Sequence, residues 1–154
     1  MTPAASASSL ETIVHSQKLF WVIAIFSIAG VVLSGVSLQR HYAKSATTYC
    51  DLGEKFNCDI VNRSEYSTVM DIPVAGIGVV GYGVLLVLST IYRARVETPM
   101  RLLLASAAGL AFALYLTYAE AYWLRTWCIL CLTSLGLIAS ITLLTAVVRW
   151  QHRR

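Results

Sequence analysis

Charged residues are scarce in this chain. Only 13% of its 154 residues are Asp, Glu, Lys or Arg, whereas an ordinary soluble domain has roughly 25%. Hydrophobic residues make up 57% of the sequence. This composition excludes an ordinary soluble domain and indicates a membrane protein.

Four stretches are long enough to cross a bilayer, which takes about 20 mainly apolar residues. Residues 19–38 and 73–92 contain no charge, 102–124 contains only Glu120, and 126–148 is again uncharged. The sequence therefore predicts an all-α membrane protein built as a bundle of four transmembrane helices. A cleaved signal peptide is the alternative for the first stretch, but its 20 residues exceed the usual apolar length of about 7–15.

The distribution of basic residues predicts the orientation, because Lys and Arg favour the cytoplasmic side. Seven of them lie on the side of the termini and five on the other side. We therefore expect cytoplasmic tails at 1–18 and 149–154, a transmembrane catalytic domain at 19–148, and an outward-facing loop at 39–72. The net charge of +4 is explained by residues that flank helices, so no nucleic-acid partner is expected.

The chain has only four cysteines, and all of them fall on the outward side. Cys50 and Cys58 lie in the polar loop, while Cys128 and Cys131 form a C-x-x-C at the start of the last apolar stretch. Disulfides form and persist in oxidising compartments such as the periplasm or the ER lumen. Two dithiol pairs, one in water and one at the membrane edge, predict a relay of electrons from a soluble thiol protein into the bilayer.

The C-x-x-C pair has the placement of a reaction centre. At positions i and i+3 of a helix, Cys128 and Cys131 share one face. The helix dipole near an N-terminus favours the thiolate, which is the reactive form in exchange. A stabilising disulfide is the alternative. Zinc is disfavoured because seven residues separate Cys50 from Cys58 and no histidine is near either pair in sequence.

Two features predict how the helices and the loop pack. Small residues let membrane helices approach closely, although they could instead leave room for the rings of a ligand. They recur in the second and third stretches, as Gly76, Gly78, Gly81 and Gly83 and again over 105–109. In the loop, Asn62 and Glu65 have the spacing of a capping box. That spacing predicts a short lid half-helix, with Tyr66, Val69 and Met70 on one face, that ends before Asp71.

The cysteines and two loop residues together form a specific pattern. It consists of Cys50-Asp-Leu-Gly, Cys58, then Ser64 and Tyr66, and finally Cys128-Ile-Leu-Cys131. With this pattern the chain resembles the vitamin K epoxide reductase family and its bacterial homologues, from about residue 19 to 148. The resemblance implies a four-helix membrane oxidoreductase that couples disulfide formation to quinone reduction.

The resemblance also implies a role for each cysteine. Cys50 would exchange with a soluble thioredoxin-fold thiol protein, and Cys58 would pass the oxidation onward by pairing transiently with Cys128. Cys131 would lie nearest the quinone. Ser64 would lie near the quinone ring from the loop side, and Tyr66, two residues on, belongs to the same predicted site.

The pattern departs from that of the animal enzymes in two places. Those enzymes hold the carbonyls of vitamin K with an Asn on the second span and a Tyr shortly after the C-x-x-C. Here the second stretch contains no Asn, and no Tyr follows Cys131 in Leu132-Thr-Ser-Leu-Gly136. Ubiquinone or menaquinone is therefore the expected acceptor, and no NAD or flavin motif offers another. No fused thioredoxin-like domain is visible, so the thiol partner would be a separate chain.

Two residues of the third stretch are further candidates for quinone contacts. Glu120 is an ionisable group inside an apolar run, which marks it as a functional candidate. It could relay protons during quinone reduction, or it could sit in the headgroup region. Tyr118 belongs to a group of aromatic residues at the same end, which an interfacial belt explains for the most part; we expect it to stack on the quinone.

The sequence is compatible with more than one hypothesis about the function. The leading one is a quinone-dependent thiol oxidase in a bacterial inner membrane, with its active site facing the periplasm or the exterior. A reductase of vitamin K or its epoxide that uses thiols as reductant is the second. A non-catalytic scaffold with structural disulfides is the third. A carrier of cytoplasmic reductant is disfavoured because no cysteine lies on the inner side.

Overall fold

The computed structural model describes residues 3–43, 58–62, 64, 67–92, 95 and 97–153. Within these residues the chain is almost entirely helical. The elements are helices α1 (Pro3–Tyr42), α2 (Cys58–Asn62), α3 (Val74–Thr90), α4 (Thr98–Ala119) and α5 (Ile129–Arg153), together with a short hairpin of β1 (Thr68–Val69) and β2 (Ile72–Pro73) before α3.

Three helices in the described ranges are long and apolar enough to cross a membrane: Gln17–Tyr42, Thr98–Leu124 and Ile129–Gln151. The second predicted stretch forms a shorter helix than expected. At 17 residues, α3 is about 25 Å long at 1.5 Å per residue, less than the roughly 30 Å of a bilayer core. Long apolar helices are thus confirmed, and a count of four membrane spans stays a prediction.

The outer surface of the helices is apolar. Large side chains more than half exposed include Trp21, Ile25 and Val32 on α1, Val80 on α3 and Leu143 on α5. Continuous apolar exteriors of this kind are rare on soluble monomers. A lipid environment accounts for them, because lipid chains are as apolar as the side chains they would touch.

The hydrophobic core lies toward the end of the bundle that carries the chain termini. Phe20 and Ile23 of α1 pack there with Leu102 of α4 and with Ile141 and Val148 of α5, and all five are buried. A second, smaller cluster lies at the opposite end and contains cysteines. The bundle is therefore closed by packing at one end and carries its reactive groups at the other.

Glycines bring α1 and α3 close together. A Cβ added at Gly30 would lie 2.3 Å from the ring of Tyr82, and one added at Gly78 would lie 2.7 Å from Ser34 Oγ. Neither position has room for a side chain. At Gly81 and Gly83 an added Cβ would meet no atom within 4 Å. The close-packing interpretation of the glycines therefore holds at Gly78 and not along the whole series.

The predicted lid half-helix does not extend through Val69 and Met70. The short helix α2 ends at Asn62 instead of beginning there, and residues 68–73 form the antiparallel hairpin, with Val69 opposite Ile72. The Asn62 side chain donates back to the Cys58 carbonyl oxygen (2.9 Å), so it closes α2 and does not cap a following helix. The β-branched residues Thr68, Val69 and Ile72 favour strands.

The corner between α4 and α5 is built from an irregular turn. The helix continues past Ala119 as a π-helical turn over Glu120–Leu124, and Arg125 then adopts a left-handed backbone with φ of 50°. The Cys128 carbonyl oxygen accepts the Leu132 N–H (3.0 Å), which makes Cys128 the N-cap of α5. The last helix thus begins at Ile129, three residues after the start of the uncharged run.

Candidate redox site and cavity

Cys58 and Cys128 lie in one cluster at the end of the bundle opposite the chain termini. Both are buried, with exposed fractions of 1% and 0%, and they share a small apolar cluster with Val61. Cys58 is disulfide-bonded, whereas Cys128 and Cys131 are free thiols. An oxidised cysteine and a reduced one therefore pack together across a long stretch of sequence. Cys50 lies outside the described residues.

Asn62 holds α2 against α1. Its side-chain oxygen accepts a hydrogen bond from Ser37 Oγ (2.7 Å) while its amide nitrogen donates to the Cys58 carbonyl oxygen. Its own backbone oxygen lies 2.6 Å from His41 Nδ1. A carbonyl can only accept, so Nδ1 carries the proton. These three bonds position Cys58, the first residue of α2, from the end of α1.

The C-x-x-C pair occupies the first turn of α5. Cys128 caps the helix and Cys131 lies one turn into it, so both sulfurs stay on one face, as the spacing predicts. The Cys131 side chain packs against the cluster of Cys58 and Cys128 and also lines an internal cavity. The pair therefore connects the buried cysteine cluster with the cavity.

Glu120 lies beside this pair and is only 2% exposed. Its Oε2 accepts the backbone N–H of Cys128 (3.2 Å), and its carboxyl group lies close to the Cys131 thiol. The other oxygen, Oε1, makes no hydrogen bond within the described part of the chain. Glu120 is thus enclosed by protein and does not sit among lipid headgroups.

The cavity lies among α1, α3, α4 and α5 and has a volume of about 190 Å³. The end of the cavity near α2 is polar and is lined by His41, Asn62, Ser64 and Ser67. The helices add the polar groups of Tyr82, Glu120, Cys131 and Ser134. The remaining wall is mainly apolar and includes Gly78, Gly81, Gly109, Phe112 and Leu116. A mainly apolar cleft or cavity with a few convergent polar groups is typical of a small-molecule site.

The residues predicted to contact a quinone fall in different places. Ser64 lines the cavity, and its hydroxyl donates to the Val61 carbonyl oxygen (2.8 Å). Glu120 lines it as well. Tyr66 lies outside the described residues. Tyr118 is 53% exposed and stacks on Tyr122 with ring centroids 4.5 Å apart, on the outer surface and not in the cavity wall.

Sequence reasoning missed several polar residues of the cavity wall. The Tyr82 hydroxyl donates to the Ser134 carbonyl oxygen and lies equally close, at 2.9 Å, to Ser134 Oγ. The sequence does offer a signal for Tyr82, because it places a hydroxyl group in an otherwise apolar run. Buried tyrosine hydroxyls usually have a hydrogen-bond partner. His41 and Ser67 gave no signal, because only the fold brings them to the cavity.

This arrangement can support two linked reactions. The Cys128 thiol and the disulfide-bonded Cys58 lie in the same buried cluster, and thiol–disulfide exchange needs a thiol close to a disulfide. The dithiol of Cys128 and Cys131 can deliver two electrons to an acceptor in the cavity when it closes to a disulfide.

Comparison with known proteins agrees with this chemistry. The chain matches the vitamin K epoxide reductase family over residues 21–147, which is most of its length. A comparison with individual curated proteins finds no match. Members of the matched family are membrane oxidoreductases with disulfide and quinone chemistry. The pattern of cysteines, the apolar helices and the extent of the match lead to one conclusion: the chain belongs to the vitamin K epoxide reductase family.

Proposed function

We propose that this protein is a quinone-dependent thiol oxidoreductase that generates disulfides for a soluble partner. The observation that carries the proposal is that the disulfide-bonded Cys58 and the free Cys128 share one buried cluster, with Cys131 packed against it and lining a cavity. Together the three cysteines connect the outer end of the bundle to its interior. Family membership supports the general class of reaction.

Electrons would move in two exchanges. The dithiol of the partner reduces a Cys50–Cys58 disulfide, and the partner leaves oxidised. Cys58 thiolate then attacks Cys128 of a Cys128–Cys131 disulfide, and Cys50 resolves the mixed bond by attacking Cys58. This restores the loop disulfide and leaves the C-x-x-C reduced. The structure has the same redox states, with Cys58 disulfide-bonded and Cys128 and Cys131 as thiols.

The reduced C-x-x-C would then reduce a quinone in the cavity. The cavity suits such a ligand, because apolar walls from α3 and α4 can face a ring while Ser64 and Glu120 supply polar groups for its oxygens. Tyr66 remains a predicted contact. Tyr118 is not part of the proposed site because it lies on the outer surface. Ubiquinone and menaquinone are the proposed acceptors.

The partner we propose is a soluble thioredoxin-fold disulfide catalyst on the periplasmic or exterior side of a bacterial inner membrane. Strongly oxidising members of that class have potentials of roughly −120 mV. Their re-oxidation requires a still more oxidising acceptor, and a lipid-dissolved quinone meets that requirement. The cytoplasmic orientation of both termini is part of the same proposal.

The test is quinone reduction by the purified protein in detergent, followed by absorbance, with a reduced thioredoxin-fold partner as electron donor. Partner-dependent reduction of ubiquinone or menaquinone that disappears in Cys131→Ser would support the proposal. Tyr118→Phe is the matched control, because it removes one polar atom from an exposed side chain outside the cavity wall and should retain full activity. If quinone stays oxidised while the partner stays reduced, the protein is a scaffold with structural disulfides or uses another acceptor.

A further inference from the structure

Glu120 lies beside both thiols that react, where a carboxyl group can do more than contact a quinone oxygen. We propose that Glu120 is a catalytic residue that takes the proton from the Cys131 thiol and passes it to an oxygen of the quinone. This inference rests on the proposed function, since it assigns a proton carrier to the quinone step. It makes Glu120 an internal shuttle and not a relay from water.

The local backbone explains how an acid comes to lie at this position. The π-helical turn Glu120–Leu124 interrupts the regular end of α4, and turns of this kind occur frequently at functional sites. The Cys128 N–H then holds Oε2. With one oxygen anchored, the carboxyl group is fixed between the N-cap of α5 and the cavity wall.

The second carboxyl oxygen of Glu120, Oε1, distinguishes a catalytic role from a structural one. A carboxyl group that only anchored the N-cap would need one oxygen, yet Glu120 keeps Oε1 buried and without a hydrogen bond in the described ranges. Leaving a buried polar atom unpaired costs free energy. Glu120 also lines the cavity together with Cys131, so an unpaired proton acceptor lies beside both the thiol and the acceptor site.

Other titratable groups around the cavity bond residues other than Cys131. From α3, the Tyr82 hydroxyl bonds Ser134. From α1, His41 Nδ1 bonds the Asn62 carbonyl oxygen. From α5, Cys128 and Cys131 are the reacting thiols themselves. Of the acid–base groups that the structure describes in the cavity wall, Glu120 is the one that lies close to the Cys131 thiol.

The step balances without any proton from outside. The S–H bond of Cys131 breaks, and its proton moves to Glu120 and then to one quinone oxygen. The S–H bond of Cys128 breaks as a sulfur–sulfur bond forms between the two cysteines, and its proton reaches the second oxygen. Two electrons leave the two sulfurs and reduce the quinone to a quinol. Glu120 ends the cycle as it began.

Measuring the two half-reactions separately tests the role of Glu120 independently of the proposed function. In the first, oxidised protein accepts electrons from the reduced thiol partner. In the second, protein reduced with dithiothreitol and freed of it is mixed anaerobically with decylubiquinone or a menaquinone analogue. Glu120→Gln keeps an oxygen for the Cys128 N–H but removes the proton acceptor. We expect it to slow the second half-reaction by about 100-fold or more and to leave the first unchanged.

A dependence on pH provides a readout that a structural role would not change. Without Glu120, hydroxide must remove the thiol proton, so the quinone step of Glu120→Gln should accelerate with rising pH more steeply than that of the wild type. Glu97→Gln is the matched control: it makes the same substitution at the opposite end of α4, at the exposed N-cap position, where Glu97 pairs with Arg101. It should behave like the wild type in both half-reactions.

Each other outcome overturns the inference in a distinguishable way. If Glu120→Gln reduces quinone as fast as the wild type, Glu120 is not the proton acceptor, although the proposed function stands. If it slows both half-reactions equally at every pH, Glu120 only supports the fold of the corner. If the wild type itself reduces no quinone, the proposed function fails and this inference fails with it.

Discussion

Asn62 shows how much of the redox site depends on single residues. It sits at the end of α2, is buried, and bonds both Ser37 of α1 and the Cys58 carbonyl oxygen. Sequence reasoning gave Asn62 a different role, at the start of a following helix. The choice between these roles depends on Ser37, which is distant in sequence.

Replacing Asn62 with Leu tests this role. The substitution leaves the Ser37 hydroxyl without its partner among apolar neighbours, which costs about 1–3 kcal/mol, and it loosens α2. We expect a lower melting temperature in detergent and slower exchange between Cys58 and Cys128, measured by quenched alkylation. Thr133→Val is the control, because that exposed hydroxyl bonds only its own helix. Equal stability of the two variants would contradict this role.

Replacing Gly30 with Ala tests the close packing of α1 against α3. An added Cβ would lie 2.3–2.5 Å from the ring of Tyr82, so Gly30→Ala must displace that ring and its bonds to Ser134. Crowding of this kind typically costs about 1–3 kcal/mol. We expect a clear fall in the melting temperature in detergent.

Gly35→Ala is the matched control for Gly30→Ala. It lies on the same helix with no atom within 4 Å of an added Cβ. Because Gly inside a helix is less stable than Ala by roughly 0.5–1 kcal/mol, this variant should be as stable as the wild type or more so. If Gly30→Ala is equally well tolerated, α1 and α3 do not pack as closely as the structure shows.

Among the elements, the hairpin before α3 departs most from what the sequence suggests. Met70 and Asp71 occupy its two-residue turn with φ of 53° and 64°, the positive values of a type I′ turn. Such turns favour Asn-Gly, and neither residue here carries that signal. The helical spacing of Val69 and Met70 with Tyr66 therefore predicted a helix.

A better turn sequence should strengthen this element. Met70→Asn with Asp71→Gly places at each position a residue that adopts positive φ readily, and removes strain of about 1 kcal/mol per residue. Met70 is 92% exposed, so no packing is lost. We expect slower amide hydrogen exchange in 68–73 and unchanged exchange in α5. Faster exchange in the hairpin would show that its turn is not of this type.

At the scale of the whole molecule, the fold brings the start of α2 to the start of α5. This places Cys58 and Cys128 in one buried cluster although the two residues belong to different parts of the chain. Their proximity can be captured chemically. In the double variant Cys50→Ser, Cys131→Ser, mild oxidation should join Cys58 to Cys128, which peptide mass spectrometry under non-reducing conditions detects.

The matched variant is Cys50→Ser with Cys128→Ser, which leaves Cys58 and Cys131. Cys131 is the less buried of the two C-x-x-C thiols and faces the cavity, so its bond to Cys58 should form more slowly. Equal rates in both variants would mean that the structure does not select Cys128 as the exchange partner.

The sequence alone indicates the membrane character of the chain, its family and the cysteines that we propose to react. Runs without charge and the spacing of Cys128 and Cys131 are local properties, and they survive into the structure as helices α1, α4 and α5 with a shared cysteine face. The short length of α3 and the placement of Glu120 beside Cys131 could not be read in this way. They depend on where helices end and on which distant side chains satisfy buried polar groups.

Only the tertiary structure decided the composition of the cavity. His41, Tyr82 and Ser134 come from three helices, and no local pattern links them. Tyr118 and Glu120 are near neighbours in sequence, yet one faces outward and the other is enclosed. Helix rotation and the π-helical turn set that difference, and both depend on how α4 packs against the other helices.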